Sequence, residues 1–235
     1  MSAVKRRVVL LSGGLDSVVA LAIAHAEGDV ALALTIDYGQ RAREAEKLAA
    51  QAIAAHFNVR WEWVALPWFH QLLPPQMARQ VYGESAAGPV TPRDPAIPDS
   101  TRAVWAPNRN GVLLNIAAAY AEALEADAVV FGANADEAQG FPDNTQAYRD
   151  ALSAAFAFST LRHIQVETPV GDMTKAEIIE RGLSLGVPFR HIWSCYGGGP
   201  QHCGQCASCG LLREAVERAN QRTGQRAEIR FAASP

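Results

Sequence analysis

Short apolar runs recur along the chain and predict the strands of a sheet. Four of them are VVLL at 8–11, ALALTIDY at 31–38, DAVVFGA at 127–133 and IQVETPV at 164–170. Apolar runs of this length, without regular polar alternation, are typical of strands that are buried on both faces. Residues 59–66, VRWEWVAL, do alternate and predict a further strand.

Four stretches between these runs predict helices, at 17–27, 43–57, 110–126 and 175–186, with the first helix beginning near Leu15. Alternating strands and helices predict an α/β fold in which helices cover both faces of a parallel sheet. Ligands of such sheets bind at the carboxyl ends of the strands. Ser12, Asp37, Gly132 and Thr168 fall at those ends.

Residues 67–107 interrupt the alternation and hold most of the thirteen prolines. A loop this long inside a compact domain is usually an active-site cover, a binding loop or a mobile segment. A partly ordered cover and a disordered segment both remain open. The proline content does not suit a second folded domain.

The overall composition fits one sizeable core, with 235 residues, 49% of them hydrophobic and 19% charged. A net charge of -3 gives no general attraction to nucleic acid or to an anionic membrane, so a small-molecule substrate is favoured. No run reaches the roughly 18 apolar residues of a membrane span, and the basic N-terminus leads directly into a predicted strand. These features predict a cytoplasmic protein without a membrane partner.

The turn SGGLDS joins the first predicted strand to the first predicted helix. Gly13 and Gly14 let backbone amides approach an anion, and the helix adds its positive N-terminal end. Ser12 and Ser17 can donate hydroxyls to phosphate oxygens, and Asp16 can hold Mg²⁺ or orient the loop. The turn matches neither the P-loop nor the dinucleotide fingerprint. A generic glycine turn is the alternative.

All four cysteines lie close together, at Cys195, Cys203, Cys206 and Cys209. Four thiolates at this spacing, with glycines between them, predict a structural Zn²⁺ site in a small extension over 191–235. An iron–sulfur cluster is an alternative, because ferredoxins also use C-x₂-C-x₂-C. Disulfides are a second alternative, but they do not suit a cytoplasmic protein. His202 is interpreted as a surface residue, since four thiolates complete the site.

Five further motifs accompany the SGGLDS loop: DYGQR at 37–41, NRN at 108–110, FPDN at 141–144, TKAEI at 174–178 and WSCYGGGPQHCGQCASCGLLR at 193–213. With them the chain resembles the ATP-pyrophosphatase family, and within it the 7-cyano-7-deazaguanine synthases, over residues 8–213. The resemblance implies a Rossmann-like, adenine-nucleotide α-hydrolase-like domain over 1–190, followed by the zinc-binding and helical extension.

The resemblance also implies a reaction. ATP and Mg²⁺ would activate the carboxylate of 7-carboxy-7-deazaguanine as an acyl adenylate, ammonia would form an amide, and a second activation would give the nitrile, 7-cyano-7-deazaguanine. This is the chemistry of a C–N ligase in queuosine or archaeosine synthesis. If all four thiols bind metal, no cysteine is left to carry sulfur or to hydrolyse glutamine, which independently favours free ammonia.

The resemblance assigns residues to three groups. The catalytic candidates are Asp16, Arg109 and Lys175. The ATP-binding candidates are Leu11, Ser12, Gly13, Gly14, Leu15, Asp16 and Ser17. The substrate-binding candidates are Tyr38, Gln40, Arg41, Phe141, Asp143 and Asn144, and Tyr196 is a further candidate for a wall of the pocket. The alternatives are that Arg109 braces its helix, that Lys175 lies on a solvated face, and that the aromatic residues belong to the core.

Two positions depart from the commonest form of these motifs. Many members have histidine where this chain has Ala42 and cysteine where it has Asn144. One alternative function is therefore a relative that stops at the amide or joins the acyl group to another amine. A tRNA thiolase or zinc-dependent nucleic-acid binder is a more distant alternative. The Ala-rich residues 119–128 are a candidate homodimer face.

Overall fold

Five parallel strands form the centre of the protein. The computed structural model describes residues 4–73, 101 and 105–232. Its strands are β1 (Arg6–Leu10), β2 (Asp29–Asp37), β3 (Trp61–Ala65), β4 (Ala128–Val130) and β5 (Gln165–Glu167). All five predicted strands are confirmed.

The strands lie in the order β3-β2-β1-β4-β5, and every neighbouring pair is parallel. Val8 pairs with Leu32 of β2 on one side and with Val129 of β4 on the other. The chain therefore adds β2 and β3 on one side of β1 and then crosses back to add β4 and β5 on the other side. The change of direction lies between β1 and β4, where sheets of this class bind ligands.

Seven α-helices connect or follow the strands in the described part of the chain. They are α1 (Leu15–Glu27), α2 (Arg43–His56), α3 (Arg109–Ala123), α4 (Ala135–Ala138), α5 (Gln146–Ser159), α6 (Lys175–Ser184) and α7 (Ala207–Thr223). Short 3₁₀ turns lie at Phe69–Leu72, Pro142–Asn144 and Phe189–His191. None of the described helices is both long enough and apolar enough to span a bilayer.

Helices cover both faces of the sheet, as predicted. Val9 and Val130 face a core formed with α1, α2, α6 and α7. Val8 and Val129, one residue earlier in the same strands, face a second core formed with α3 and α5. Successive side chains of a strand point to opposite faces, so an apolar run without polar alternation supplies both cores at once.

Helix α5 has no counterpart among the predicted helices. Thr145 caps it by accepting a hydrogen bond from the Tyr148 amide at 3.3 Å. Only Arg149 and Phe156 of this helix are buried, and Phe158 is 95% exposed. Tyr148, Leu152 and Phe156, each four residues after the last, nevertheless face the second core, so the helix has an apolar stripe that the sequence analysis missed.

The segment 67–107 is described only at its two ends. The 3₁₀ turn Phe69–Leu72 packs through Phe69 against Ala106 and the partly buried Tyr38. Residues 74–100 and 102–104, on which the predicted cover depends, lie outside the described residues.

The predicted helical extension contains α7, which ends at Gly224 in a left-handed conformation. Leu212 and Ala219 of α7 belong to the same apolar core as α1. Beyond the helix, Phe231 forms an isolated parallel bridge with His202. The division of the chain at residue 190 stays a prediction.

Candidate functional site

The SGGLDS loop lies at the carboxyl end of β1, and its shape depends on two glycines. Gly13 has a φ of +81°, and a Cβ there would lie 2.7 Å from the Cβ of Ala49. On the other side, a Cβ on Gly132 would lie 2.4 Å from the amide nitrogen of Ser17, so β4 and the start of α1 approach closely. The N-terminal end of α1 therefore opens at the change of direction between β1 and β4.

The two serines of the loop have different environments. Ser12 is exposed, and its Oγ accepts a hydrogen bond from the Gly14 amide at 3.2 Å. Ser17 is buried, and its hydroxyl donates to the Gly14 carbonyl at 3.0 Å while lying 3.0 Å from Ser12 Oγ. Ser12 thus faces solvent, and Ser17 shapes the turn from below.

Leu11 and Leu15, two of the predicted ATP-binding residues, place their side chains in the core. The Leu11 carbonyl accepts a hydrogen bond from Thr35 Oγ1 at 2.6 Å. Any contact of these two residues with a nucleotide would therefore be through the backbone.

The C-terminal segment holds the loop from outside the sheet. The Trp193 amide donates to the Gly13 carbonyl at 2.8 Å, and the Leu15 amide donates to Ser194 Oγ at 3.3 Å. Ser194 is held in turn by His202, whose Nε2 accepts from the Ser194 amide at 3.1 Å. The region of the four cysteines is thus connected to the SGGLDS loop by direct hydrogen bonds.

Three charged side chains meet at the start of α1: the predicted catalytic residues Asp16 and Lys175, and Glu137. Lys175 Nζ donates to Asp16 Oδ2 at 3.2 Å and to Glu137 Oε1 at 2.9 Å. Asn134 Nδ2 also donates to Asp16 Oδ2, at 3.0 Å. The Lys175 and Asp16 side chains are only 17% and 16% exposed. Lys175 therefore does not lie on a solvated face, which excludes that alternative.

The charges of this network are set by burial and by each other. Burial lowers the pKa of Lys175, but Asp16 and Glu137 outweigh it and raise that pKa above its usual value. Burial raises the pKa of Asp16, and Lys175 opposes this rise. Asp16 Oδ1 is buried and has no hydrogen-bond partner among the described residues. An unpartnered buried carboxylate oxygen at a helix N-terminus fits a cation bound together with phosphates.

Lys175 is placed by a well-defined helix start. Thr174 and Glu177 form a capping box at the beginning of α6. The Lys175 amide donates to Asp136 Oδ2 at 3.0 Å, which ties α6 to α4. The TKAE motif therefore fixes the helix end from which Lys175 reaches Asp16.

Glu137 continues the network toward the FPDN motif. Asn144 Nδ2 donates to Glu137 Oε2 at 3.3 Å, and Asn144 Oδ1 accepts from Asn110 Nδ2 at 3.1 Å. The Asn144 carbonyl accepts from Arg149 Nη1 at 3.0 Å. Asn144 is buried, and its amide joins the FPDN and NRN motifs, so it positions its neighbours.

Arg109 and Tyr38 form the other side of this region. The Arg109 guanidinium lies 5.8 Å from the centre of the Tyr38 ring, and that ring packs edge-on against Phe69. Arg109 also interacts electrostatically with Asp143. Burial raises the pKa of Asp143, and Arg109 opposes the rise. Arg109 thus lies near an aromatic ring and interacts with a carboxyl group, and its role in catalysis stays a prediction.

The remaining substrate candidates have distinct surroundings. Phe141 is stacked on Trp105, with ring centroids 6.4 Å apart and planes 9° apart. Arg41 and Tyr196 are exposed. Tyr196 interacts electrostatically with Glu137 and Lys175, so its ring lies near the charged network.

Gln40 is buried and its side chain is used within the turn after β2. Its Oε1 accepts from the Tyr38 amide at 2.9 Å, and its Nε2 donates to the Ile36 carbonyl at 3.3 Å and to Glu46 Oε2 at 2.8 Å. Gln40 therefore connects Tyr38 to Glu46. Its assignment as a substrate-binding residue stays a prediction.

The four cysteines form a compact cluster. Their Sγ atoms all lie within 4.8 Å of one another, and all four thiols are free in this structure, as a metal site requires. The Gly197 and Cys203 amides donate to Cys195 Sγ at 3.3 and 3.4 Å. Such amide-to-sulfur bonds favour thiolates, and four thiolates fit a tetrahedral metal ion. The identity of the metal stays a prediction.

Acidity differs between the cysteines of this cluster. Backbone hydrogen bonds from Gln205 and Cys206 lower the pKa of Cys203 to about 6. Burial raises the pKa of Cys209. A bound cation would favour the thiolate form of both residues.

The interpretation of His202 as a surface residue was wrong. His202 is 3% exposed, and its ring packs between Trp193 and Phe231 with centroids 4.9 and 5.4 Å away. Its Nδ1 lies 3.2 Å from the Arg230 carbonyl. The ring is therefore buried by the C-terminal segment, which it helps to hold in place. Counting metal ligands in the sequence could not indicate this role.

Sequence reasoning also missed Glu137 and Glu46. Glu137 follows Asn134, whose side chain caps α4 by accepting from the Glu137 amide at 2.9 Å. Both glutamates lie in the first turn of a helix, where acidic residues are common for reasons unrelated to function. The sequence therefore held no distinct signal for either one.

The geometry of Gly13 leads to a testable prediction. We expect Gly13→Ala to lower the free energy of unfolding by more than about 1 kcal/mol, because a side chain at this φ is strained and meets Ala49. ATP binding should weaken as well. Gly210→Ala is the control, since Gly210 is in a helix with open space around it. Urea denaturation and ATP titration measure both effects, and equal stability of the two variants would contradict the prediction.

Comparison with protein families gives one match over most of the chain. The family described as "Queuosine biosynthesis protein QueC" matches residues 6–220. A 7-cyano-7-deazaguanine synthase of Pelotomaculum thermopropionicum is 44% identical over 87% of this chain and 93% of its own length. A 7-cyano-7-deazaguanine synthase of Methanosarcina barkeri is 38% identical over 91% of this chain and 94% of its own.

Comparison with solved structures supports the fold. The U34-tRNA thiolase NcsA from Methanococcus maripaludis, solved with its [4Fe-4S] cluster, matches with a TM-score of 0.50 and 12% identity. The match covers 93% of this chain and 66% of the thiolase. At this identity the likeness concerns the Rossmann-like fold alone.

Proposed function

Because the chain belongs to the QueC family of queuosine biosynthesis proteins, we propose that it is a 7-cyano-7-deazaguanine synthase. The substrates are 7-carboxy-7-deazaguanine, ATP and ammonia, and the product is the nitrile. The enzyme is then an ATP-dependent C–N ligase that supplies the deazapurine for queuosine- or archaeosine-type tRNA modification.

The observation that carries this proposal is the contact of Lys175 with Asp16 and Glu137. Asp16 belongs to the SGGLDS loop, and Glu137 is hydrogen-bonded to Asn144 of the FPDN motif. The Lys175 ammonium group thus lies between the candidate nucleotide loop and the candidate binding site for the substrate acid. This binding site, formed by Phe141, Asp143 and Asn144, is called the acid pocket below. A fixed cation at this place suits the negative charge that develops when a carboxylate attacks the α-phosphate.

The chemistry needs this activation because a carboxylate is a poor electrophile. Attack of the substrate carboxylate on ATP releases pyrophosphate and gives an acyl adenylate. Ammonia then displaces AMP to give an amide, and adenylation of the amide oxygen allows loss of AMP and a proton to form the nitrile. Arg109, which also interacts electrostatically with Glu137, would stabilise this charge together with Lys175.

The loop residues have separate roles in this proposal. Ser12 and the amides near Gly13 and Gly14 would bind the phosphates, while the buried Ser17 keeps the turn in shape. Asp16 Oδ1, which has no partner among the described residues, would hold Mg²⁺ bound with ATP. The cation would neutralise phosphate charge when it is present.

The acid pocket would recognise a planar heterocycle by its edges and its face. Asp143 can accept two N–H bonds from a guanine-like edge, and Phe141 or Tyr38 can contact the ring face. Asn144 positions Glu137 and Asn110, so its place in the pocket is structural.

The four cysteines would bind one structural Zn²⁺. With all four thiols on the metal, no cysteine is available to carry sulfur or to hydrolyse glutamine, so the nitrogen comes from free ammonia. Use of ATP and ligation by reduced thiols suit the cytoplasm, where we propose that the enzyme works. A homodimer stays a prediction.

The proposal is tested by pyrophosphate release from purified protein with ATP, Mg²⁺ and 7-carboxy-7-deazaguanine. We expect release that depends on this acid and none with 7-deazaguanine, which lacks the carboxylate. Acid-dependent release followed by accumulation of the amide would support the alternative that stops there. No acid-dependent release would contradict both.

A further inference from the structure

Glu46 lies between the SGGLDS loop and the Tyr38–Arg109 side of the site. On one side its backbone carbonyl would lie 3.0 Å from a Cβ on Gly13, so the residue packs directly behind the loop. On the other side its carboxylate is tied through Gln40 to the Tyr38 amide. In the proposed reaction, the adenylyl group of ATP would be transferred to the substrate carboxylate between these two sides.

The carboxylate of Glu46 is held by one oxygen and open at the other. Its Oε2 accepts from Gln40 Nε2 at 2.8 Å. Its Oε1 makes no hydrogen bond to any residue that the structure describes, and it is not one of the unpartnered polar atoms that are fully buried, in keeping with the partial exposure of Glu46. Gln40 therefore orients the group and leaves one oxygen for a ligand.

The charged surroundings of Glu46 come from two elements. Asp37 and Tyr38 lie at and just beyond the end of β2, and Arg109 lies at the start of α3. Asp37 is neutralised by Arg43, whose Nη1 lies 2.9 Å from Asp37 Oδ2. Among the described residues near the Tyr38–Arg109 side, Glu46 is thus an acid without an ion-pair partner of its own.

The proposed reaction requires a proton acceptor, and the roles discussed so far provide none. When ammonia attacks the acyl adenylate, a C–N bond forms and the nitrogen becomes positively charged. The C–O bond to AMP then breaks, its electron pair leaves with AMP, and the nitrogen must lose a proton. Lys175 and Arg109 are cations and cannot accept it.

We propose that Glu46 is the general base that accepts this proton during amide formation. The inference rests on the proposed function, because it concerns the ammonia-dependent step of that reaction. The proton moves from the substrate nitrogen to Glu46 Oε1 and from there to solvent.

The acidity of Glu46 suits this task. Burial, opposed by the Gln40 hydrogen bond and by Arg109, raises the pKa of Glu46 to about 7. A base with a pKa near the working pH is both available and effective. The group is unprotonated above that pKa, so the amination rate at a fixed concentration of free ammonia should rise with pH through about 7.

The test compares Glu46→Gln with wild type in two separate assays. Glutamine keeps an oxygen that can accept from Gln40, so the turn should be preserved. We expect substrate-dependent exchange of pyrophosphate into ATP, without ammonium, to stay within a few-fold of wild type. Amide formation, compared at a fixed concentration of free ammonia, should fall by about 10²–10⁴-fold and lose its rise with pH.

Two further variants separate catalysis from structure. Glu46→Asp keeps the acid and should retain part of the rate and the rise with pH. Glu44→Gln changes an exposed acid of the same helix and should behave as wild type.

Each outcome bears on one claim. Exchange and amination that fall together in Glu46→Gln would overturn the assignment, as would unchanged amination or an increase in the ammonium KM alone. Absence of exchange in the wild-type protein would instead contradict the proposed function.

Discussion

Replacing Lys175 with methionine is expected to lower kcat for acid-dependent pyrophosphate release by about 10²–10³-fold. The Nζ of Lys175 is the cation that contacts both Asp16 and Glu137, and methionine keeps the length of the side chain without its charge. Removing it takes away the charge that would stabilise the transition state, and it leaves two acids next to each other.

The same variant should also lose stability. Removing one partner of a buried ion pair leaves an uncompensated charge, which costs up to about 3 kcal/mol here because Glu137 is 38% exposed and partly screened. Without Lys175, only the Asn134 hydrogen bond still opposes the effect of burial on Asp16, so its pKa should rise further and the carboxyl should take up a proton. The stability loss should therefore shrink as the pH is lowered.

Kinetics and urea denaturation at several pH values measure both effects. Lys47→Met is the matched control, because Lys47 lies 5.0 Å from the Trp63 ring on the β3 side of the sheet. Wild-type kcat in Lys175→Met would show that the ammonium has no part in the reaction.

Replacing Cys209 with serine is expected to remove the bound metal and to disturb the nucleotide loop. Structural Zn²⁺ contributes about 10–16 kcal/mol in small zinc-binding peptides, which exceeds the stability of many whole domains. Trp193 and Ser194, which directly precede Cys195, form hydrogen bonds with Gly13 and Leu15 respectively. Loss of metal should therefore lower the melting temperature and weaken ATP binding together.

Metal analysis, thermal denaturation and ATP titration test this coupling. Gln205→Ala is the control, because the Gln205 amide that donates to Cys203 Sγ at 3.4 Å is kept in alanine. A colourless protein with one zinc per chain is expected, and a brown protein with iron and sulfide would favour a cluster instead. Metal loss without any change in ATP affinity would contradict the link to the loop.

The main elements of the fold could be predicted from the sequence because burial on both sides leaves a clear pattern. Val8 and Val9 face different cores, so both positions are apolar and no polar residue interrupts the run after Arg7. Helix α5 was missed although Tyr148, Leu152 and Phe156 recur at helical spacing on the second core, because exposed apolar residues such as Phe158 obscure that pattern.

The part of the site that could be predicted is the one whose residue type has few functions in proteins, namely clustered cysteines. The cysteine spacing indicated a metal site, and the structure brings all four sulfurs together. The partners of Lys175 were not predictable, since Asp16 and Glu137 lie 159 and 38 residues away along the chain. Such contacts depend on the packing of α6 against α1 and α4, which sequence periodicity does not specify.

The burial of His202 could not be predicted from the sequence either. Four thiolates complete the metal site without it, which led to the prediction of a surface position, whereas the return of Phe231 to form a bridge buries the ring. Only a long-range contact with the C-terminal residues decides between the two environments.

The most direct test of the account is mass spectrometry of the product formed from 7-carboxy-7-deazaguanine, ATP, Mg²⁺ and ammonium labelled with heavy nitrogen. The account predicts 7-cyano-7-deazaguanine that carries the labelled nitrogen, formed together with AMP and pyrophosphate. Unchanged acid in the presence of folded, metal-loaded protein would contradict it.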